Sequence, residues 1–179
     1  LINNNVAKKL VDCALITDTD SVYEIGTGQG ILTEYLCKKA KSVISSEIDF
    51  SLYKLSATKL SKYNNLQLKH MDGLQYTDDF DIFISSLPYS ESERFIYWLL
   101  NKNFKHAVVI LQKEFIDKIT SLPNTNNYRS ISVISQYCLN IISIETLSPS
   151  NFYPPPKVQS ILAIIKPNNS LSVFEIQTI

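Results

Sequence analysis

Short β-branched runs alternate with longer stretches of helical period through the first two-thirds of the chain, and no other feature constrains the fold as strongly. A strand that is followed by a helix returns beside its neighbour in the same direction, so such a chain builds a parallel sheet covered on both faces. Strands are expected at Ser21–Ile25, Ser42–Ser46, Leu66–His70, Phe80–Ser85 and His106–Leu111. The last of these (HAVVIL) is an unbroken apolar run, the mark of a strand buried on both sides. Helices are expected at Ile31–Ala40, Leu52–Tyr63, Ser92–Leu100 and Lys113–Thr120. In the third, Arg94 and Trp98, with Asn101 just beyond, fall on faces away from Phe95 and Leu99. A break at Leu122-Pro123-Asn124 precedes a further segment, Arg129–Cys138. Two late strands, Ile141–Leu147 and Val158–Lys166, flank a Pro-rich loop and are close enough to pair as an antiparallel hairpin at one edge. The expected fold is α/β: a mostly parallel seven-stranded sheet, helices on both faces and an antiparallel edge. No repeat or low-complexity linker divides residues 1–179, so one domain is expected.

Composition supports a packed domain, with 45% hydrophobic and 19% charged residues. Lys+Arg and Asp+Glu both total 17, so no global positive field announces a nucleic-acid partner. Cations serving one would have to be segregated on a single face. Only Arg94 and Arg129 are arginines. No apolar run reaches the roughly 18 residues that span a bilayer, and Leu1–Leu10 lacks the order of a signal peptide. Cys13, Cys37 and Cys138 are odd in number and far apart, with no CxxC. A disulfide scaffold and a structural zinc are thus not expected, nor any other metal, and a cytoplasmic protein is.

The sharpest local motif is Glu24-Ile25-Gly26-Thr27-Gly28-Gln29-Gly30, between a strand and a helix. Glycines there allow a tight turn and a close ligand approach. Glu47 ends the next strand, 21 positions after Gly26, where a carboxylate can accept hydrogen bonds from both hydroxyls of a ribose. The spacing is GxGxG, since Ile31 stands where a dinucleotide fingerprint requires glycine. Glu24 would repel a pyrophosphate but suits the cationic amino-acid end of S-adenosylmethionine. Asp72, after the third strand in His70-Met71-Asp72-Gly73, is placed to bind the adenine amine of that cofactor. The bland alternative is a plain βα turn with Glu47 as a solvated strand-end charge.

Strand four runs into Ser85-Ser86-Leu87-Pro88-Tyr89. With these residues the chain resembles, along nearly its whole length, the rRNA adenine dimethyltransferases, a family related to the erythromycin-resistance methylases. EIGTGQGILTEYL (24–36) is similar to the family's donor motif, SEID (46–49) to its ribose motif and MDGL (71–74) to its adenine motif. LPY (87–89) is similar to its target-base motif; LQKEF (111–115) and NFYPPPKVQS (151–160) are similar to two further blocks. The resemblance implies a Rossmann-like S-adenosylmethionine-dependent methyltransferase that dimethylates adenine amines in small-subunit rRNA, as a monomer acting on a pre-ribosomal particle. The cofactor would be held by Glu24, Gly26, Gly28, Gly30, Glu47, Ile48, Asp72, Gly73 and Ser86. The base would be held by Ser86, Leu87 (through its carbonyl), Pro88, Tyr89 and Phe152. Arg129 and Lys157 would contact RNA. The Asn151–Val158 stretch resembles the housekeeping branch more than the resistance branch.

The chemistry explains those residue types. Adenine's amine is a weak nucleophile because its lone pair is delocalised into the ring. Two acceptors for its protons localise that pair and aim it at the sulfonium methyl. In the family these are an Asn oxygen and a backbone carbonyl beside the motif proline, with aromatic rings covering the base. The methylated amine is itself acidic, so positioning rather than a general base supplies most of the rate.

This chain carries Ser86 where the family has Asn. A shorter hydroxyl acceptor predicts a slower enzyme, a backbone shift that brings Ser86 closer, or a bridging water. By analogy with lost oxyanion-hole donors, one missing acceptor costs about 2–4 kcal/mol of barrier. Ser86 could instead cap the helix that follows, and Tyr89 and Phe152 could be ordinary core. A donor-binding, catalytically weak RNA-binding factor in ribosome assembly or transcription is the rival reading. Lys38, Lys39 and Lys41 read as a solvated helix end, and His70 and His106 as strand residues without chemical role. Family members carry a Gln-containing segment before the position of Leu1 and a small helical domain after the catalytic one. Leu171–Ile179 is too short to supply the latter.

Overall fold

The computed structural model describes residues 3–168; Leu1 and the Leu171–Ile179 stretch lie outside them. Five strands run parallel: β1 (Ser21–Ile25), β2 (Ser42–Glu47), β3 (Leu66–His70), β4 (Ile82–Ser86) and β5 (His106–Gln112). Two more, β6 (Leu139–Leu147) and β7 (Ser160–Pro167), close the edge, in the order β3-β2-β1-β4-β5-β7-β6. The expected late hairpin forms. Its second strand is the inner one: β7 pairs antiparallel with both β5 and β6. A register shift between Ser143 and Glu145 interrupts the outer pairing. The apolar run of β5 is sealed as its composition requires, with Ala107 to Leu111 all fully buried.

The helices are α1 (Asn4–Cys13), α2 (Ile31–Cys37), α3 (Phe50–Leu60), α4 (Ser92–Leu99), α5 (Lys113–Ile119) and α6 (Ser130–Cys138). Alternate strand residues feed two apolar clusters. One packs Val22, Ile82, Ile84, Val108 and Ile110 under α1 and α2. The other packs Tyr23, Phe83 and Val109 under α4, α5 and α6. Both faces are therefore covered, as expected.

The ends of several elements shift by a few residues: α2 stops at Cys37 and α3 at Leu60, β4 starts at Ile82, β6 at Leu139 and β7 at Ser160. Three departures have a clear local cause. Helix α1 is unexpected in an Asn- and Lys-rich start, yet Val6, Ala7, Leu10 and Val11 form one buried stripe. Asn3 caps it, accepting the Asn5 N–H at 2.9 Å. Helix α3 begins at Phe50 rather than Leu52, because the Asp49 carboxylate accepts the Ser51 and Leu52 N–H groups at 2.8 and 2.9 Å. Trp98 does not face away from the core. It packs against Phe80 and Phe83 at ring-centroid distances of 5.7 and 5.5 Å, and its indole N–H donates to the Tyr76 carbonyl at 3.1 Å.

Candidate active site

The chain winds outward from β1 through β2 to β3 and then returns to place β4 on the other side of β1. At such a switch point the loops leaving neighbouring strands diverge, and a crevice opens at the carboxyl edge. A cavity of about 410 Å³ lies there, within the ~300–1,000 Å³ range of small-molecule sites. Its walls come from all four strand ends: Gly26 after β1, Glu47 and Ile48 at β2, Asp72 and Gly73 after β3, and Ser86, Leu87 and Pro88 after β4. Eight of the residues singled out in the sequence thus converge on one space.

The glycine turn is held by short hydrogen bonds. The Gly26 and Thr27 N–H groups donate to the Ser46 carbonyl at 2.8 and 3.2 Å. The backbone there takes φ 84° at Gly26, where a Cβ would be strained. A Cβ placed on Gly26 would meet no atom within 4 Å, so this glycine borders open space on the cavity wall. Gly30 plays a different part. At φ 76° it starts α2, and a Cβ there would stand 2.9 Å from Leu60 Cδ1. It serves packing between α2 and α3 and does not line the cavity. Gly28 contributes its N–H, which donates to Glu47 Oε2 at 2.7 Å, while the Asp49 N–H donates to Oε1 at 2.9 Å. Both oxygens of the nearly buried Glu47 are thereby fixed, each with a lone pair left over.

Glu24 does not reach the cavity. It is fully buried beneath the turn, where Oε2 accepts the Thr33 and Ser45 hydroxyls at 2.6 Å each. Its Oε1 has no partner among the described residues. Burial pushes its carboxyl up to about 7, with the charge of Glu47 adding to the rise and the two hydroxyls opposing it. Glu24 ties β1 to α2 and β2, a role that sequence spacing does not distinguish from ligand binding.

Asp72 faces the cavity and is already engaged. Its Oδ1 accepts the Leu74 N–H at 3.0 Å, and its Oδ2 accepts Arg94 Nη2 at 2.8 Å. Arg94 is not among the site residues expected from the sequence. The one signal available is its place, as one of two arginines, in the helix just after Leu87-Pro88-Tyr89. Tyr23 is likewise unexpected: its hydroxyl donates to the Gly73 carbonyl at 2.7 Å and so fixes the loop after β3.

Ser86 lies on the cavity wall and caps no helix, since Pro88 and Glu91 hold the cap positions of the two helical segments that follow. The neighbouring Ser85 is buried and donates its hydroxyl to the Ile25 carbonyl at 2.7 Å, which joins β4 to β1 beneath the site. Tyr89 and Phe152 are half-buried and do not line the cavity. The Tyr89 hydroxyl is bonded to the Ser160 hydroxyl at the start of β7, and Phe152 packs against the cluster under α1. Arg129 and Lys157 are exposed and do not line the cavity, and the Arg129 guanidinium donates to the Tyr128 carbonyl at 2.8 Å. Lys39 pairs with Asp12 at 2.8 Å and Lys38 with Glu34 at 3.4 Å, and Lys41 is exposed, so the lysine cluster is a solvated helix end.

The residues present fit a nucleoside. Glu47 supplies two fixed acceptors for a diol, Asp72 an acceptor for an amine, and Gly26 leaves room beside the turn. Ile48, 69% exposed on the rim, is free to cover an apolar ring.

Residues 1–176 match the family described as ribosomal RNA adenine dimethylase. The chain is 36% identical over 171 residues to a ribosomal RNA small subunit methyltransferase A of Clostridium botulinum, covering 90% of this chain and 62% of that protein. It is 34% identical over 181 residues to the protein of the same name in Borreliella burgdorferi, covering 98% and 64%. It therefore spans a little under two thirds of the length of these curated relatives. Among solved structures, a dimethyladenosine transferase from Plasmodium falciparum superposes with a TM-score of 0.89 at 30% identity, over 98% of this chain and 66% of the other.

Proposed function

Because the chain belongs to the ribosomal RNA adenine dimethylase family, we propose that it methylates the exocyclic amines of adenines in small-subunit rRNA, using S-adenosylmethionine. The observation that carries this reading is the convergence of Gly26, Glu47, Asp72 and Ser86 on one cavity at the switch point between β1 and β4. The donor supplies a methyl group activated by sulfonium. Glu47 orients the ribose, Asp72 takes the adenine amine, and Gly26 admits the tail. Ser86 and the Leu87 carbonyl sit on the β4 side of the same cavity, where they accept the protons of the target amine. Tyr89 and Phe152 are the rings that would cover the base. Arg129 and Lys157 contact RNA outside it. Small-subunit rRNA is the favoured substrate because the curated relatives bear that name. The further reading is a catalytic domain acting as a monomer on a pre-ribosomal particle in the cytoplasm, where three free thiols are at home.

Radiolabel transfer from the donor to precursor small subunits, with large subunits and duplex DNA as controls, tests the assignment. Label confined to small-subunit rRNA is expected; label in another substrate overturns it. One observation favours a second reading, a donor-binding but catalytically weak RNA factor: the cavity presents a hydroxyl at Ser86 where the family's motif presents an amide oxygen. Strong turnover by the unaltered chain would exclude that reading, whereas turnover gained only by Ser86→Asn would support it.

A further inference from the structure

The acid assigned to the donor's adenine amine is not waiting empty. Arg94, half-exposed on α4, reaches across the cavity mouth and donates from Nη2 to Asp72 Oδ2 at 2.8 Å and from Nη1 to Glu91 Oε2 at 3.3 Å. All three side chains border the same cavity. The Leu74 N–H takes one lone pair of the other Asp72 oxygen, so an incoming amine has to share what remains of the carboxylate with the guanidinium. A guanidinium and an exocyclic amine are both N–H donors, and they contend for the same lone pairs.

We propose that Arg94 competes with the methyl donor for Asp72, and that donor entry releases its guanidinium toward a phosphate of the RNA substrate. The inference rests on the donor site proposed above. Two structural features favour it. Arg94 stands four positions after Ser90 on the wall that also carries Ser86, Leu87 and Pro88, so its released head group lies on the side where the target base enters. Glu91 remains beside it as a retaining partner, which keeps the side chain at the rim. A planar guanidinium is also the cation best matched to phosphate. Donor and RNA would then bind with positive coupling, and linkage requires that coupling to be mutual.

The test compares the unaltered chain with Arg94→Gln, Arg94→Lys and Asp72→Ala, using calorimetry with S-adenosylhomocysteine and S-adenosylmethionine. An exposed ion pair is weak, so Arg94→Gln is expected to bind S-adenosylhomocysteine about two- to five-fold more tightly. The increase should be larger for the cationic donor than for its neutral thioether product, because the variant uncovers two carboxylates. Arg94→Lys, which keeps the charge, should stay near the unaltered affinity. A small-subunit rRNA helix transcript should bind more tightly to the unaltered chain when S-adenosylhomocysteine is present, and this increment should vanish in Arg94→Gln. Unchanged or weaker binding of S-adenosylhomocysteine by Arg94→Gln, or coupling that persists in it, overturns the proposal. Failure of the donor site itself looks different: the unaltered chain would not bind S-adenosylhomocysteine, or Asp72→Ala would bind it undiminished.

Discussion

The Gly28 N–H donates to Glu47 Oε2 at 2.7 Å, which makes the glycine turn and the acid that ends β2 a single hydrogen-bonded unit across 19 positions of chain. Glu47→Ala therefore removes the two acceptors proposed for the ligand and also leaves the Gly28 and Asp49 N–H groups without their partner. Hydrogen bonds to a charged group are worth about 1.5–3 kcal/mol each. The affinity for S-adenosylhomocysteine is expected to fall about 10- to 100-fold, as read by calorimetry. Undiminished binding would remove Glu47 from the site.

Gly30→Ala separates folding from binding. The backbone at φ 76° and the 2.9 Å approach to Leu60 Cδ1 both penalise a Cβ, at about 1–2 kcal/mol for the left-handed conformation alone. For a chain of this size that lowers Tm by about 2–8 °C. Because Gly30 lies off the cavity, the folded variant should bind S-adenosylhomocysteine with its affinity unchanged. A stable variant that binds poorly would show that Gly30 touches the ligand.

Much of this architecture is legible in the sequence because its signals are local. Strand and helix periods, the GxGxG turn and the acids at strand ends each occupy a few consecutive residues, and parallel winding then brings those ends together. What escapes is non-local or carried by unhelpful residue types. Helix α1 hides its stripe of Val6, Ala7, Leu10 and Val11 among asparagines and lysines. The Asp72–Arg94 pair spans 22 positions, and the choice between ligand and structural support for Glu24 depends on Thr33 and Ser45 closing over it. The orientation of Trp98 is hidden because the aromatic cluster that receives it is assembled from β1, β4 and the loop before β4.

Glu24 makes stability depend on pH in a defined direction. Its carboxyl rises from an ordinary 4.5 to about 7 in the folded protein, so the folded state holds a proton that the unfolded state releases. The stabilisation is complete below pH 4.5 and is lost as pH climbs to about 7, by an amount on the order of a few kcal/mol. Asp20 titrates outside this window, since its hydrogen bonds to Lys105 and Thr17 hold it at about 2 against the desolvation that opposes them. Urea unfolding at pH 5, 6, 7 and 8 should show Glu24→Gln improving relative to the unaltered chain as pH rises. A constant difference between the two would refute the assignment of the titration to Glu24.

In the proposed reaction, Ser86 is the residue that sets how fast the chemistry runs. It lies on the cavity wall, yet its hydroxyl is shorter than an amide and must also place its own proton. Ser86→Asn supplies an amide oxygen that accepts from the target amine without that competition. A single positioned hydrogen bond in an oxyanion site is worth about 10²–10³ in rate. A water already bridging Ser86 to the base would recover part of this, so an increase of about 10- to 100-fold in single-turnover methylation is expected for Ser86→Asn. Ser86→Ala should lower the rate below that of the unaltered chain, with S-adenosylhomocysteine affinity changed by less than about two-fold, because the proposed donor contacts are made by Glu47 and Asp72. Equal rates for Ser86→Ala and the unaltered chain would mean that the hydroxyl never meets the amine. The backbone carbonyl of Leu87 would then be the acceptor that aims the nitrogen.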